Sequence, residues 1–157
     1  MAGYLVLDAL VGNTDRHHEN WGLILESKKG KDSKTRWVGG IAPTYDHASS
    51  LGRELLDEAR ELRLANGTVE SYIRKARGGI FGSEDDRHGL SPMACAEMLA
   101  EVYPSFFEPW QERVGKVEDA WIEGVLGKIP DSRISEPGRA FALAFLSKTR
   151  SLIAEAL

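Results

Sequence analysis

Strand-forming sequence is confined to one stretch of this chain. In Trp21-Gly22-Leu23-Ile24-Leu25 and in Thr35-Arg36-Trp37-Val38-Gly39-Gly40-Ile41, aromatic and β-branched residues flank a charged, Gly-containing segment from Ser27 to Lys34. The pattern predicts a β-hairpin. No strand signal returns beyond Leu51, so the rest of the chain must be built from helices.

Tyr4 to Val11 is apolar around most of its circumference, which suits a short buried helix terminated by Gly12 and Asn13. Downstream, Leu55, Leu56, Ala59 and Leu62 share one helical face before Asn66-Gly67 interrupts. Thr68 caps a short helix to Ala76, and Ser91-Pro92 provides an N-cap and first-turn proline for a helix through Val102. Trp110, Val114, Val117 and Trp121 recur at helical intervals, as do Ala142, Phe145, Thr149 and Leu152 in a closing helix begun by Pro137. These aromatic residues are assigned to the core. The predicted fold class is α+β, predominantly helical: one helix, a hairpin, and four or five further helices. The loops at 77 to 91 and 128 to 136 lie too close to apolar helical segments to separate domains, so residues 1–157 are read as a single domain.

A chain of 157 residues, 42% hydrophobic and 28% charged, has the composition of a soluble folded domain. A net charge of -4 argues against broad binding to nucleic acid or anionic lipid, which relies on clustered Lys and Arg. Cys95 alone allows neither an intramolecular disulfide nor a cysteine-based zinc cluster, and on its apolar helical face it reads as an inert core residue. Met1 to Val11 is too short for a membrane span and lacks a basic n-region. The expected location is the cytoplasm.

The segment Gly12-Asn13-Thr14-Asp15-Arg16-His17-His18-Glu19-Asn20 packs polar side chains between two apolar stretches. A loop held between a buried helix and a buried strand is rigid at both ends, which suits a reactive site. Phosphoryl transfer needs a carboxylate to orient and deprotonate the attacking hydroxyl, and oxygen ligands to hold magnesium on the nucleotide phosphates. Asp15 and Asn20, spaced Asp-x-x-x-x-Asn, match that division. Asp46, in Ala42-Pro43-Thr44-Tyr45-Asp46-His47 directly after the second strand, is the further metal-binding carboxylate. The hairpin returns the chain to its starting point, so the three residues are expected to converge.

Other readings accompany these. Asp15, Asn20 and Asp46 could serve only as loop caps. His17, His18 and His47 with Asp15 form a candidate transition-metal hydrolase site, although adjacent His17 and His18 are expected to diverge on an extended backbone. Lys28, Lys29, Lys31 and Lys34 at the hairpin tip could meet phosphate, and Lys75, Arg77 and Arg87 around the Gly-rich loop could touch a substrate phosphate, but both groups are taken as solvated charge.

Gly-Asn-Thr-Asp-Arg-His-His-Glu-Asn-Trp followed by Ala-Pro-Thr-Tyr-Asp resembles the catalytic loop and metal-binding motif of HipA-like serine/threonine kinases of bacterial toxin–antitoxin systems. The Asp-Arg-His-x-x-Asn core is also similar to the catalytic loop of phosphatidylinositol kinases. The clear match covers roughly Leu5 to Leu51, with a looser likeness to the family's helical C-lobe beyond. The resemblance implies a protein-kinase-like C-lobe whose hairpin carries the catalytic and metal-binding loops. It assigns Asp15 as catalytic base, Asn20 and Asp46 to Mg2+ and hence to ATP, and His17 to a structural or phosphate-facing place in the catalytic loop. It implies phosphoryl transfer from ATP to a protein Ser/Thr hydroxyl, with a protein substrate and an antitoxin as partners. Only fourteen residues precede Asp15, so the nucleotide-clamping N-lobe is expected to be absent from the chain. The chain is then a fragment, a partner of a complementing N-lobe polypeptide, or a non-catalytic kinase-like interaction module.

Overall fold

Apolar residues at helical intervals along the last helix give the molecule its axis. A computed structural model of the protein describes residues 1–29 and 35–156. Its elements run α1 (Ala2–Val11), a 3-10 turn (His18–Asn20), β1 (Leu23–Lys29), β2 (Thr35–Ile41), α2 (Asp57–Ala65), α3 (Val69–Lys75), α4 (Pro92–Val102), α5 (Pro104–Gly115), α6 (Asp119–Leu126) and α7 (Glu136–Ala156). The architecture is thus α+β and mostly helical. Six helices follow the hairpin among the described residues, where four or five were expected.

On α7 the residues Phe141, Ala142, Phe145, Thr149, Leu152 and Ile153 are buried, including the four expected to line its inner face. Around them pack α1, α2, α3, α4, α5 and α6. The main core joins Leu5, Val6 and Ala9 of α1 to Met93 and Ala96 of α4, Phe107 of α5 and the phenylalanines of α7. Burial of a hydroxyl requires a partner; Thr149 Oγ1 lies 2.7 Å from the carbonyl of Leu10 and 3.0 Å from that of Phe145, tying α7 to the end of α1.

Local signals account for the helix ends. Ser91 accepts a hydrogen bond from the Ala94 N–H at 3.0 Å, with Pro92 in the first turn, as the sequence predicts. Gly67, at φ 61, reverses the chain between α2 and α3. The N-cap of α7 escaped the sequence reading: Ser135 Oγ accepts from Gly138 N–H at 3.1 Å and donates to Asp57 at 2.8 Å, joining α2 to α7.

Two assignments of the core are corrected. Trp110 and Trp121 are 38% and 64% exposed, and Phe107, Val114, Ile122 and Leu126 take the buried positions. The apparent periodicity ran across two helices; the break between Gly115 and Asp119 resets the face presented to the core. On α2, Leu56 and Leu62 are also exposed. This helix lies at the surface, with Leu55 before it and Leu64 on it packed against the core, and is tied further by Arg60 to the Gly52 carbonyl and by Arg63 stacked over Tyr72.

The hairpin is antiparallel, with Leu23 opposite Ile41, Leu25 opposite Gly39 and Ser27 opposite Trp37. Strand β1 runs on to Lys29, three residues into the segment expected to turn. Lys28 pairs with Glu26 at 3.4 Å, while Lys31 and Lys34 lie outside the described residues. The expected buried strand is not found: both strands are exposed along their full length. Alternation places Leu23, Leu25, Trp37 and Ile41 on one face, and no described helix packs on it. Also among the described residues, no helix is long and apolar enough to cross a membrane.

Candidate active site

The site begins where α1 stops. Gly12 adopts φ 67, the left-handed conformation that ends a helix, and both its N–H and that of Asn13 return to the Asp8 carbonyl. A Cβ on Gly12 would also stand 2.3 Å from the Phe145 ring. Glycine is therefore required twice over. Gly12→Ala is expected to lower the unfolding free energy by roughly 1–3 kcal/mol from the backbone conformation alone. A urea midpoint equal to that of the parent protein would contradict this account.

Beyond Gly12, the loop is organised by a buried ion pair. Asp8 is the one carboxylate in an otherwise apolar helix, and it is 2% exposed. Arg16, equally buried, grips it bidentately, with Nε to Oδ2 at 2.7 Å and Nη2 to Oδ1 at 2.9 Å. Asn13 donates to the same carboxylate at 2.9 Å. The hydrogen bonds that Arg16 donates to Asp8 hold its guanidinium above the ordinary pKa against the opposing effect of burial, and the Asp46 charge adds in the same direction. Arg16 also lies 5.1 Å from the Trp21 ring centre.

The same guanidinium draws the two motifs together. Arg16 Nη1 donates to the Asn20 carbonyl at 2.7 Å and to the Tyr45 carbonyl at 3.2 Å, and Nη2 donates to Thr44 Oγ1 at 2.9 Å. The Tyr45 hydroxyl donates in turn to the Glu19 carbonyl at 2.8 Å. Further contacts zip the returning segment against the outgoing one: Ala42 N–H to Gly22 O at 2.8 Å, Thr14 N–H to Ser49 O at 3.1 Å, and Leu51 N–H to Val11 O at 2.8 Å. The hairpin turns the chain around, and Arg16 fixes where it lands.

Within this frame Asp15 and Asn20 are joined directly. The Asn20 amide nitrogen donates to the Asp15 carbonyl at 2.6 Å, so a cation ligand from this side chain would be its oxygen. Asn20 is buried, whereas the Asp15 carboxylate is half exposed and faces His17 Nε2 at 3.9 Å. His17 Nδ1 accepts from the Glu19 N–H at 3.3 Å, capping the 3-10 turn. Asp46 sits in the segment clamped to Arg16, exposed, with φ 59. A non-glycine residue in that region is held there by its surroundings, and such strain gathers at functional sites.

The rear wall is the Gly-rich loop. A Cβ on Gly79 would lie 3.0 Å from the Arg16 carbonyl and 3.1 Å from His17 Cβ, and one on Gly89 would fall 1.9 Å from the Gly78 carbonyl. These glycines let backbone pack against backbone behind the loop that carries Arg16 and His17. Beneath it, burial raises the Cys95 thiol pKa to about 11, with the Asp8 charge contributing, which keeps it protonated and unreactive.

The histidine grouping weighed as a hydrolase site does not assemble. The rings of His17 and His18 lie 5.8 Å apart at a tilt of 56°, nearer than the divergence expected of them. His47, however, is engaged by Thr44 at 3.1 Å and lies 3.7 Å from Asp8, and the described residues form no cluster of three His, Cys, Asp or Glu side chains able to hold a metal.

Asp8, Asn13, Arg16 and Thr44 are the site residues that motif reading passed over. Asp8 carried a signal, since a lone carboxylate on a helix apolar all round must find a buried partner. Fold and site together define an α+β, predominantly helical protein with a polar loop and a returning carboxylate-bearing segment clamped on one arginine. Comparison with protein-family models, with curated proteins and with solved structures finds no match to the chain.

Proposed function

We propose that this chain is the catalytic lobe of a HipA-like, ATP-dependent kinase that transfers phosphate to a protein Ser/Thr hydroxyl. The observation that carries the reading is the shared clamp: one guanidinium nitrogen binds the carbonyls of Asn20 and Tyr45, so the loop bearing Asp15 and Asn20 meets the segment bearing Asp46.

The donor set suits magnesium, a hard cation that takes oxygen ligands and keeps several waters. The Asn20 amide oxygen and the Asp46 carboxylate would hold it, and its charge would offset that of the ATP phosphates. Asp15 is placed to orient a hydroxyl and accept its proton, because its carboxylate is open to solvent while the Asp15 backbone is bonded on both sides, by Asn13 Oδ1 and by the Asn20 amide. His17, 3.9 Å away, is a positioning residue for that carboxylate. Preorganisation of this kind is what a largely positional and electrostatic reaction demands.

Calorimetric titration of the chain with ATP and magnesium tests the reading: saturable, magnesium-dependent binding is expected. Asp46→Asn should weaken that binding and reduce its magnesium dependence. An unchanged magnesium dependence would remove Asp46 from its role.

A second reading is favoured by the exposed hairpin. Leu23, Leu25 and Trp37 are 78%, 66% and 72% exposed, an apolar face of the sort that marks interaction surfaces. On this reading the chain is a kinase-like interaction module that binds an antitoxin or a complementing N-lobe polypeptide without catalysis. Absence of any ATP binding with magnesium present would favour it.

A further inference from the structure

The basic residues around the Gly-rich loop take no part in the site above. Leaving α3 after Lys75 and entering α4 at Pro92, this loop forms with the two helix ends a cleft of about 340 Å³. Arg74, Arg77, Arg87, His88, Asp86 and Ser91 are among the residues that line it. Arg74 is neutralised by Glu70 at 3.1 Å and Glu97 at 3.2 Å. The others are not. Arg77 donates only to the carbonyl of its neighbour Ala76, at 3.1 Å, and among the described residues Arg87 and His88 have no hydrogen-bond or ion-pair partner. Asp86 is turned to its own loop, where it accepts from the N–H groups of Gly82 at 3.0 Å and Ser83 at 2.9 Å.

Two guanidinium groups without carboxylate partners line one cleft, and the planar fork of each can donate two hydrogen bonds to a phosphate. The first turn of α4 opens on the same space and adds its positive end. We propose that this cleft binds a phosphate monoester, phosphoserine or phosphothreonine, presented by a separate peptide. With Asp86 on the lining against Arg77 and Arg87, the cleft keeps a net positive charge that suits a single phosphate group. A polyanion such as nucleic acid does not fit, because exposed Glu84 and Asp85 stand beside the cleft in a chain of net charge -4. Nor does the loop's own Ser83 supply the phosphate: it is followed by Glu84, Asp85 and Asp86, three carboxylates that disfavour a phosphate there. The cleft is coupled to the catalytic loop through backbone. Gly78 N–H donates to Leu90 O at 2.8 Å, Leu90 N–H donates to Ile80 O at 2.7 Å, and Gly79 backs directly on Arg16. A phosphate held by Arg77 and Arg87 stiffens the strip that supports Asp15. The assignment stands on the cleft and does not require the chain to be a kinase.

The test is an NMR titration of the isotope-labelled full chain with a short acetylated peptide carrying one phosphoserine between alanines. Saturable shifts are expected at the amides of Arg77, Gly78 and His88 to Ser91, with no response to the unphosphorylated peptide or to a single-stranded oligonucleotide. Arg77→Gln combined with Arg87→Gln is expected to weaken binding about tenfold or more. Both side chains are exposed, so the spectrum elsewhere should be unchanged. The proposal is overturned by no saturable shift in the cleft, by an equal response to the unphosphorylated peptide, by tighter binding of the oligonucleotide, or by undiminished affinity in the double variant.

Discussion

Asp15→Asn is expected to fold normally and to reduce phosphoryl transfer by about 10²–10⁴, the usual contribution of a positioned general base. The separation of fold from activity follows from how Asp15 is held. Its hydrogen bonds to the loop use the backbone N–H and carbonyl, through Asn13 and Asn20, and these survive in the amide variant. The carboxylate itself is half exposed, with the His17 ring nitrogen Nε2 3.9 Å away. An isosteric amide therefore removes proton acceptance while leaving the loop in place. The measurement is phosphate transfer from ATP to a protein hydroxyl in the lobe complemented by a nucleotide-binding partner, alongside circular dichroism of the variant. Equal turnover in parent and variant would remove Asp15 from the chemistry.

Asp8→Ala is expected to destabilise the protein by about 3–5 kcal/mol, because it leaves the Arg16 guanidinium buried without its counter-charge. That is a large share of the roughly 5–15 kcal/mol that holds a domain together. Arg16→Ala should cost as much and should also release the 44–47 segment, since Arg16 binds Thr44 and the Tyr45 carbonyl. Arg16→Lys is no substitute, as a single ammonium cannot reproduce the fork that reaches Asp8, Asn20 and Tyr45 together. The joint replacement of Asp8 and Arg16 by alanine should cost less than the sum of the two single changes, because it leaves no unpaired charge buried, although the Asn20 and Tyr45 carbonyls still lose their donor. Urea unfolding of the set decides the matter: single variants as stable as the parent would show that the pair contributes nothing.

The two predictions divide the site into a group proposed for chemistry, legible in sequence, and a structural group that was not. Asp15, Asn20 and Asp46 stand in short motifs whose residue types suit oxygen ligands and proton transfer, and the hairpin between them with the resemblance to a kinase loop points to them. Arg16 stands in the same motif, yet nothing local says that its guanidinium turns inward to Asp8 eight residues earlier. Its partners lie on three segments.

The helices were largely readable because their signals are local. Ser91-Pro92 opens α4 and Gly12 closes α1 through contacts within a single turn. Where a signal depended on what lay opposite, reading failed. Trp121 repeats at a helical interval but faces solvent, and Leu23, Leu25 and Trp37 form a good strand face that no described helix covers.

By itself the sequence determined the coarse class of the fold and singled out the residues proposed for chemistry, since period, caps and donor atoms are properties of short stretches. The tertiary structure alone decided which helix faces are buried and how two distant motifs come to share one site. That decision rests on Arg16, a charge whose burial is tolerable only because Asp8, Asn20 and Tyr45 meet it together.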